Sequence, residues 1–278
     1  MSCSKDDEGG DIPYEERYTG DAYKDLHSPW VKDPSLMTHF TRWECILFGS
    51  YPTNEVVSGS FDAVDGYALA EGDVIVDAAL YSQLEKAQWT NDDTEIDGTR
   101  YHRLNGSGAV TCSTNREQHY RWADLDAWHY FAYAPIKWRI LKISSTKAVL
   151  LADRMPDTSP FHDKEEAVNW NGSHLRQWLN NEFLTRAFSD VERSAIEFTY
   201  VKNPANPHYG TDCGPDTHDH VFILSNDEVF ASSLASDYGF YAGSGIDDAA
   251  RRFRSTLYAK GRGAWRSSVE GYRGDSFW

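Results

Sequence analysis

The chain has 278 residues, with 43 acidic against 27 basic side chains and a net charge of −16. That balance excludes a protein built mainly to grip nucleic-acid phosphates, which needs a surplus of Lys and Arg. Hydrophobic residues make up 40% and aromatic residues 14%, too much for a disordered chain and enough for a sizeable core. Mean hydropathy is −0.61, and no apolar run approaches the roughly 20 residues that span a bilayer as a helix. Four cysteines are too few and too scattered for a disulfide scaffold.

The chain opens Met1-Ser2-Cys3-Ser4-Lys5-Asp6-Asp7-Glu8-Gly9-Gly10, with no hydrophobic segment ahead of Cys3. Cys-Ser-Lys-Asp-Asp followed by glycines resembles the start of a mature bacterial lipoprotein, whose lipidated Cys is followed by a short acidic tether. Residues 1–40 therefore read as a flexible tether with a lipid anchor at Cys3, and 41–278 as a single α+β domain. The first strand is expected over Trp43–Phe48, stopped by Gly49-Ser50-Tyr51-Pro52. Val76, Leu80, Leu84 and Ala87 fall at helical spacing, with Asp77 as N-cap. Residues 88–119 are polar and rich in Gly, Thr and Asn, and read as short strands and loops.

Residues 130–143 read as two strands, the second forming a hairpin with Ala148–Ala152. Ser173 opens a helix with Leu175, Trp178, Leu179 and Phe183 on one face. Ser189-Asp190-Val191-Glu192 and Ser225-Asn226-Asp227-Glu228 are capping boxes, the second following a strand over Val221–Leu224. A last helix is expected from Asp247 to Lys260, its acids at the positive end of the helix dipole. Strands and helices alternate without βαβ regularity or a glycine-rich phosphate loop. The fold class this predicts is α+β: a mixed or antiparallel sheet with several short helices.

Seven motifs in order carry a resemblance. They are Phe48-Gly49-Ser50-Tyr51-Pro52, Pro135-Ile136-Lys137-Trp138-Arg139-Ile140-Leu141, Leu175-Arg176-Gln177-Trp178-Leu179-Asn180, Ala187-Phe188-Ser189, Val221-Phe222-Ile223-Leu224-Ser225, Asp237-Tyr238-Gly239-Phe240 and Tyr258-Ala259-Lys260-Gly261-Arg262-Gly263-Ala264-Trp265. From about Cys45 to Trp278 the chain resembles the bacterial domain of unknown function 6273 family, common in secreted or surface-attached proteins of anaerobic gut bacteria. Members usually continue with a Trp-Trp-x-Arg-Ser-Pro segment resembling the closing motif of C-type-lectin-like and formylglycine-generating-enzyme-like folds. Here Asp275-Ser276-Phe277-Trp278 stands where that motif would begin. The resemblance implies a C-type-lectin-like variant of the fold with its closing segment missing.

Several clusters could carry chemistry. His218 and His220 would share a strand face, and Cys213, Asp212 or His208 could complete a tetrahedral zinc set; a solvated Gly/Pro/Asp turn explains the same residues without metal. Asp92-Asp93-Thr94-Glu95-Ile96-Asp97-Gly98 invites a calcium reading, but the twelfth position from Asp93 is Leu104, so the EF-hand pattern fails. No nucleophile elbow or His-Glu-x-x-His motif is present, and Cys213 beside His218 or His220 is the remaining thiol candidate. Trp138 and Trp178 read as core, whereas Trp265 and Trp278 in the polar tail are better placed to stack on a ligand. Arg251 to Arg273 concentrates basic residues, so Arg262 and Arg266 could face an anionic glycan.

The expectation is an extracellular ligand-binding or adhesion module of a bacterial surface lipoprotein, partnered by a glycan or a protein. Its ligand residues would be Trp265, Arg262, Arg266 and Trp278. No cofactor is required, with calcium or zinc as the metals to look for, and neither nucleic acid nor a transmembrane segment is expected. The location is the cell envelope, lipid-anchored. The alternatives are a cell-envelope enzyme, a hydrolase or a formylglycine-generating-type oxidase, and a structural component of a surface assembly.

Overall fold

A computed structural model describes residues 29–31, 41–59, 72–106, 126–144, 146–206, 210–230, 235, 237–241, 249–264 and 275–277. Its centre is a six-stranded sheet. Strands β1 (Trp30–Val31) and β2 (Thr41–Arg42) form a small ribbon ahead of it. The sheet comprises β3 (Cys45–Val57), β4 (Val74–Val76), β5 (Asp93–Ile96), β6 (Thr99–Leu104), β7 (His129–Ile143) and β8 (Ala148–Ala152). Its order is β4-β3-β7-β6-β5, with β8 also paired to β7. Strand β7 organises the whole: it lies antiparallel to β3 along one edge, while its first half pairs β6 and its second half β8 along the other. The fold is α+β, as composition and patterning predict.

Two expected boundaries are corrected. Strand β3 does not stop at Gly49-Ser50-Tyr51-Pro52 but runs through it, and residues 130–143 are one strand rather than two. The register shifts between Leu47 and Ser50 and again between Pro52 and Asn54, and Pro135 sits opposite Ser50 at the first shift. Prolines, which lack an amide donor, are tolerated where a bulge interrupts the ladder. Gly49, with φ +69, makes the bend, and a Cβ there would lie 2.6 Å from the Phe188 ring.

The expected helix at 77–87 is α1 (Ala78–Lys86), with Asp77 accepting from the Leu80 amide at 2.9 Å. The helix opened by Ser173 is α2 (His174–Trp178), which continues through a π-helical turn at Leu179–Phe183 into α3 (Leu184–Ala187). Both capping boxes form, at the starts of α4 (Asp190–Ala195) and α5 (Asn226–Phe230). The run Val221–Leu224 is not a strand. Pairing occurs instead upstream, between β10 (Thr199–Val201) and β11 (Thr217–Asp219), while Asn180 binds the Val221 amide and carbonyl. The last expected helix is also corrected: a 3-10 turn at Ala249–Arg251 leads into β12 (Arg252–Ser255) and only then α6 (Leu257–Arg262). Here ladder pairing overrides helical spacing, because β12 lies between β9 (Arg154–Met155) and β13 (Asp275–Phe277). Thr256 caps α6 and Gly263, at φ +108, ends it.

Alternation along β7 splits the core between the two sheet faces. Phe131 points toward α2, α3 and α6 and packs with Tyr51, Phe183, Leu257 and Tyr258. Its neighbours Tyr130 and Ala132 point the other way, onto Val56, Tyr101 and Leu84 of α1. A third cluster joins Trp43 and Leu141 to Leu224, Val229, Tyr238 and Phe240. Cys45 is disulfide-bonded, to a partner outside the described residues; scattered spacing in sequence did not prevent pairing in space. Among the described residues, no helix is long and apolar enough to cross a membrane.

Candidate functional site

Two regions gather chemistry. The first lies where α3 and α6 cover the sheet. Tyr51 Oη of β3 donates to Asp157 Oδ2 at 2.7 Å, and Asp157 Oδ1 accepts from the Thr158 amide at 2.7 Å and from Arg262 Nε at 3.2 Å. Tyr258, one turn before Arg262, accepts from Arg186 Nη1 at 3.2 Å and sets its ring edge-on to those of Tyr51 and His102. His102 Nδ1 lies 2.8 Å from Asp93 Oδ1, which also receives Tyr133 Oη at 3.2 Å; Asp93 Oδ2 takes Arg100 at 2.5 Å. The Arg100 guanidinium lies over the Tyr133 ring at 4.2 Å.

Burial and the nearby carboxylates set the protonation of this node. Burial first, then Asp157, push the Tyr51 and Tyr258 hydroxyls far above the usual tyrosine range; burial and Asp93 do the same to Tyr133. Burial opposes the Asp93 anion, but hydrogen bonds from His102 and Arg100 outweigh it and hold that carboxyl below its usual range. Burial also opposes the Arg262 and Arg186 cations. Asp157 outweighs it for Arg262, and Tyr258, Tyr51, Tyr133 and Asp93 outweigh it for Arg186.

The second region is the β10–β11 ribbon. Phe198 and Tyr200 are 59% and 54% exposed, although they are large aromatic side chains. Tyr200 pairs across the ribbon with His218. The His218 ring lies 5.5 Å from Phe198 and 5.3 Å from Tyr200, and the His220 ring 5.1 Å from Phe198. The Tyr200 hydroxyl is fixed by donating to Asp216, and Lys147 pairs with Glu197 nearby in sequence. An alternating aromatic pair, flanked by imidazoles and rimmed by charge, is a surface that can stack on flat apolar faces of a ligand.

Several predicted site residues can now be placed. Arg262 is held inward by Asp157 rather than presented on an open basic face. Trp265, Arg266, Trp278, His208 and Cys3 lie outside the described residues. His218 and His220 do share a face, through Phe198. Cys213 is a half-buried free thiol whose carbonyl accepts from Asn203. His220 Nδ1 lies 3.1 Å from the Ile196 carbonyl, and among the described residues no three metal-capable side chains converge. In the predicted calcium segment, Asp92 pairs with Arg103 and Asp93 with Arg100, with His102 Nδ1 also on Asp93, so arginines already occupy those carboxylates.

Residues 145–269 match the family model of a domain of unknown function (DUF6273). Segment 145–269 belongs to that family. The matched DUF6273 segment begins just before β8 and leaves β3 and β7 outside, so it is narrower than the resemblance from Cys45 to Trp278 and shares its sheet with chain that precedes it. No curated protein and no solved structure matches the chain. Inside the segment, the most distinctive motif serves the fold. Arg176 Nε binds Asp219 Oδ1 at 2.7 Å, Trp170 Nε1 donates to Asp219 Oδ2 at 3.0 Å, and Asn180 ties down the backbone of His220 and Val221. Together they clamp β11 onto α2 and so set the pose of His218 and His220.

Sequence reasoning missed Phe198, Tyr200, Arg186 and Asp157. A signal for the first two was present: Phe198-Thr199-Tyr200 alternates with period two beside two histidines that also alternate. Arg186 and Asp157 gave none, since Tyr258 lies 72 positions from Arg186, and Tyr51 and Arg262 lie 106 and 105 positions from Asp157.

Proposed function

We propose that the chain is an extracellular ligand-binding or adhesion module of a bacterial surface lipoprotein, with glycan as its ligand. The observation that carries this reading is the exposed Phe198–Tyr200–His218 platform. Sugar rings present apolar C–H faces to aromatic rings and hydroxyls to flanking polar groups, and the ribbon offers both. The Cys45 disulfide supports an envelope location, because such bonds persist in oxidising compartments and are rare in reducing cytosol. The lipid anchor at Cys3 rests on the Cys-Ser-Lys-Asp-Asp start, and the C-type-lectin-like variant on the motif series. Stacking and hydrogen bonding of this kind need no cofactor.

The test is a glycan array probed with the full chain and with a Phe198→Ala, Tyr200→Ala double variant. Both positions are exposed, so the variant should fold normally. Binding of a defined glycan class by the wild type, lost in the variant, is the expected result; equal binding by both would remove the ribbon from the account. Release of reducing ends from a bound glycan would favour the envelope-hydrolase alternative, for which His102–Asp93 and His129–Glu55 are candidate acid–base couples among the described residues.

A further inference from the structure

We propose that Arg186 and Tyr258 form a recognition site for a carboxylate monoanion, separate from the aromatic ribbon and independent of whether the ribbon binds glycan. In the node around Tyr258, Asp157 is engaged by Arg262, Tyr51 and the Thr158 amide. Asp93 is engaged by Arg100, His102 and Tyr133. Each carboxylate thus has its own arginine, and Arg186 is the cation left over. Its sole hydrogen-bond partner among the described residues is the neutral Tyr258 hydroxyl, and it makes no ion pair there.

A guanidinium carries five N–H donors in a planar fork suited to a carboxylate. Burial opposes the Arg186 cation, Asp93 acts on it without a hydrogen bond, and a directly bound anion supplies the contact it lacks among the described residues. Tyr258 adds an independent observation. It is 1% exposed, its oxygen accepts from Arg186, and its own proton goes to no acceptor among the described residues. Burial keeps that proton in place at any ordinary pH. The pair therefore holds guanidinium and phenol donors side by side, and its one acceptor, the Tyr258 oxygen, is already taken by Arg186, the arrangement that favours an oxyanion. One surplus positive charge matches a monoanion better than phosphate, which carries nearly two. Arg186 is partly exposed, which gives a ligand access to its edge.

The test is isothermal titration of the full chain with glucuronate, alongside glucose, sulfate and inorganic phosphate at matched ionic strength. Glucuronate should bind saturably and glucose should not. Arg186→Gln should weaken glucuronate roughly ten- to hundredfold, the worth of a charge-assisted pair. Arg186→Lys, which keeps the charge and loses the fork, should fall between, and Tyr258→Phe should weaken binding several-fold with the fold intact. Should Arg186→Gln fail to fold, the Lys and Phe variants decide. Unchanged affinity in those variants, no saturable glucuronate binding by the wild type, or tighter binding of phosphate or sulfate would each overturn the proposal. Loss of glucuronate binding with ribbon-dependent glycan binding intact would show the two sites to be distinct.

Discussion

Asp219 shows how much of this chain's specificity rests on single buried charges. It is 1% exposed and satisfied by Arg176, Trp170 and Thr217. Asp219→Ala leaves a guanidinium and an indole N–H without their acceptor, and should cost about 3–5 kcal/mol in denaturant unfolding. Tyr51→Phe removes one donor from Asp157 and should cost about 2 kcal/mol. The titrating groups give a signed pH prediction. Asp93 and Asp153 both have folded pKa values below their unfolded ones, burial opposing and cations prevailing. Their stabilisation is therefore present above about pH 4 and lost as pH falls through the lowered values. Tyr51, Tyr133 and Tyr258 are shifted upward, so their contribution is present below about pH 10 and declines above it. Melting temperature against pH should thus fall at both ends, and Tyr51→Phe should flatten the alkaline limb. An unchanged alkaline limb in that variant would contradict the assignment.

At the scale of elements, what could be read from the sequence was local. Both capping boxes, the Asp77 cap and the Ile143/Ala148 hairpin depend on residues within a few positions of each other, and all form. Strand β3 and the 249–262 segment were misread for a non-local reason. Gly49-Ser50-Tyr51-Pro52 looks like a turn until β7 supplies a partner strand, and Arg252–Ser255 looks helical until β9 and β13 flank it. The same limit hid the site: Tyr51, Asp157 and Tyr258 are far apart in the chain and meet only through tertiary packing. Gly49 tests the bulge. Gly49→Ala combines positive φ with a Cβ 2.6 Å from Phe188 and 2.7 Å from the Ala187 carbonyl, and should cost about 2–5 kcal/mol. Glu192 reaches from the α4 cap to the Gly49 amide at 3.0 Å, so Ser189→Ala should cost about 1 kcal/mol and loosen that junction as well. Chemical denaturation of both variants checks the ranking, and a Gly49→Ala protein as stable as wild type would refute the bulge geometry.

For the molecule as a whole, α+β architecture followed from composition and patterning, whereas the disulfide did not, because no spacing in four scattered cysteines announces it. Its consequence is global. A reductant should lower the melting temperature by an amount equivalent to about 2–5 kcal/mol, and thiol titration in denaturant of the chain made without lipid at Cys3 should find two free thiols before reduction and four after. Four thiols before reduction would remove the argument for an oxidising compartment. The central claim is that the β10–β11 ribbon is a ligand platform, and its most direct test is aromatic NMR of the full chain titrated with a glycan selected from the array. The account predicts that resonances of Phe198, Tyr200 and His218 shift together and saturate, while those of the buried Phe131 and Tyr258 stay in place. Saturable binding that leaves the three ribbon residues unmoved would contradict it.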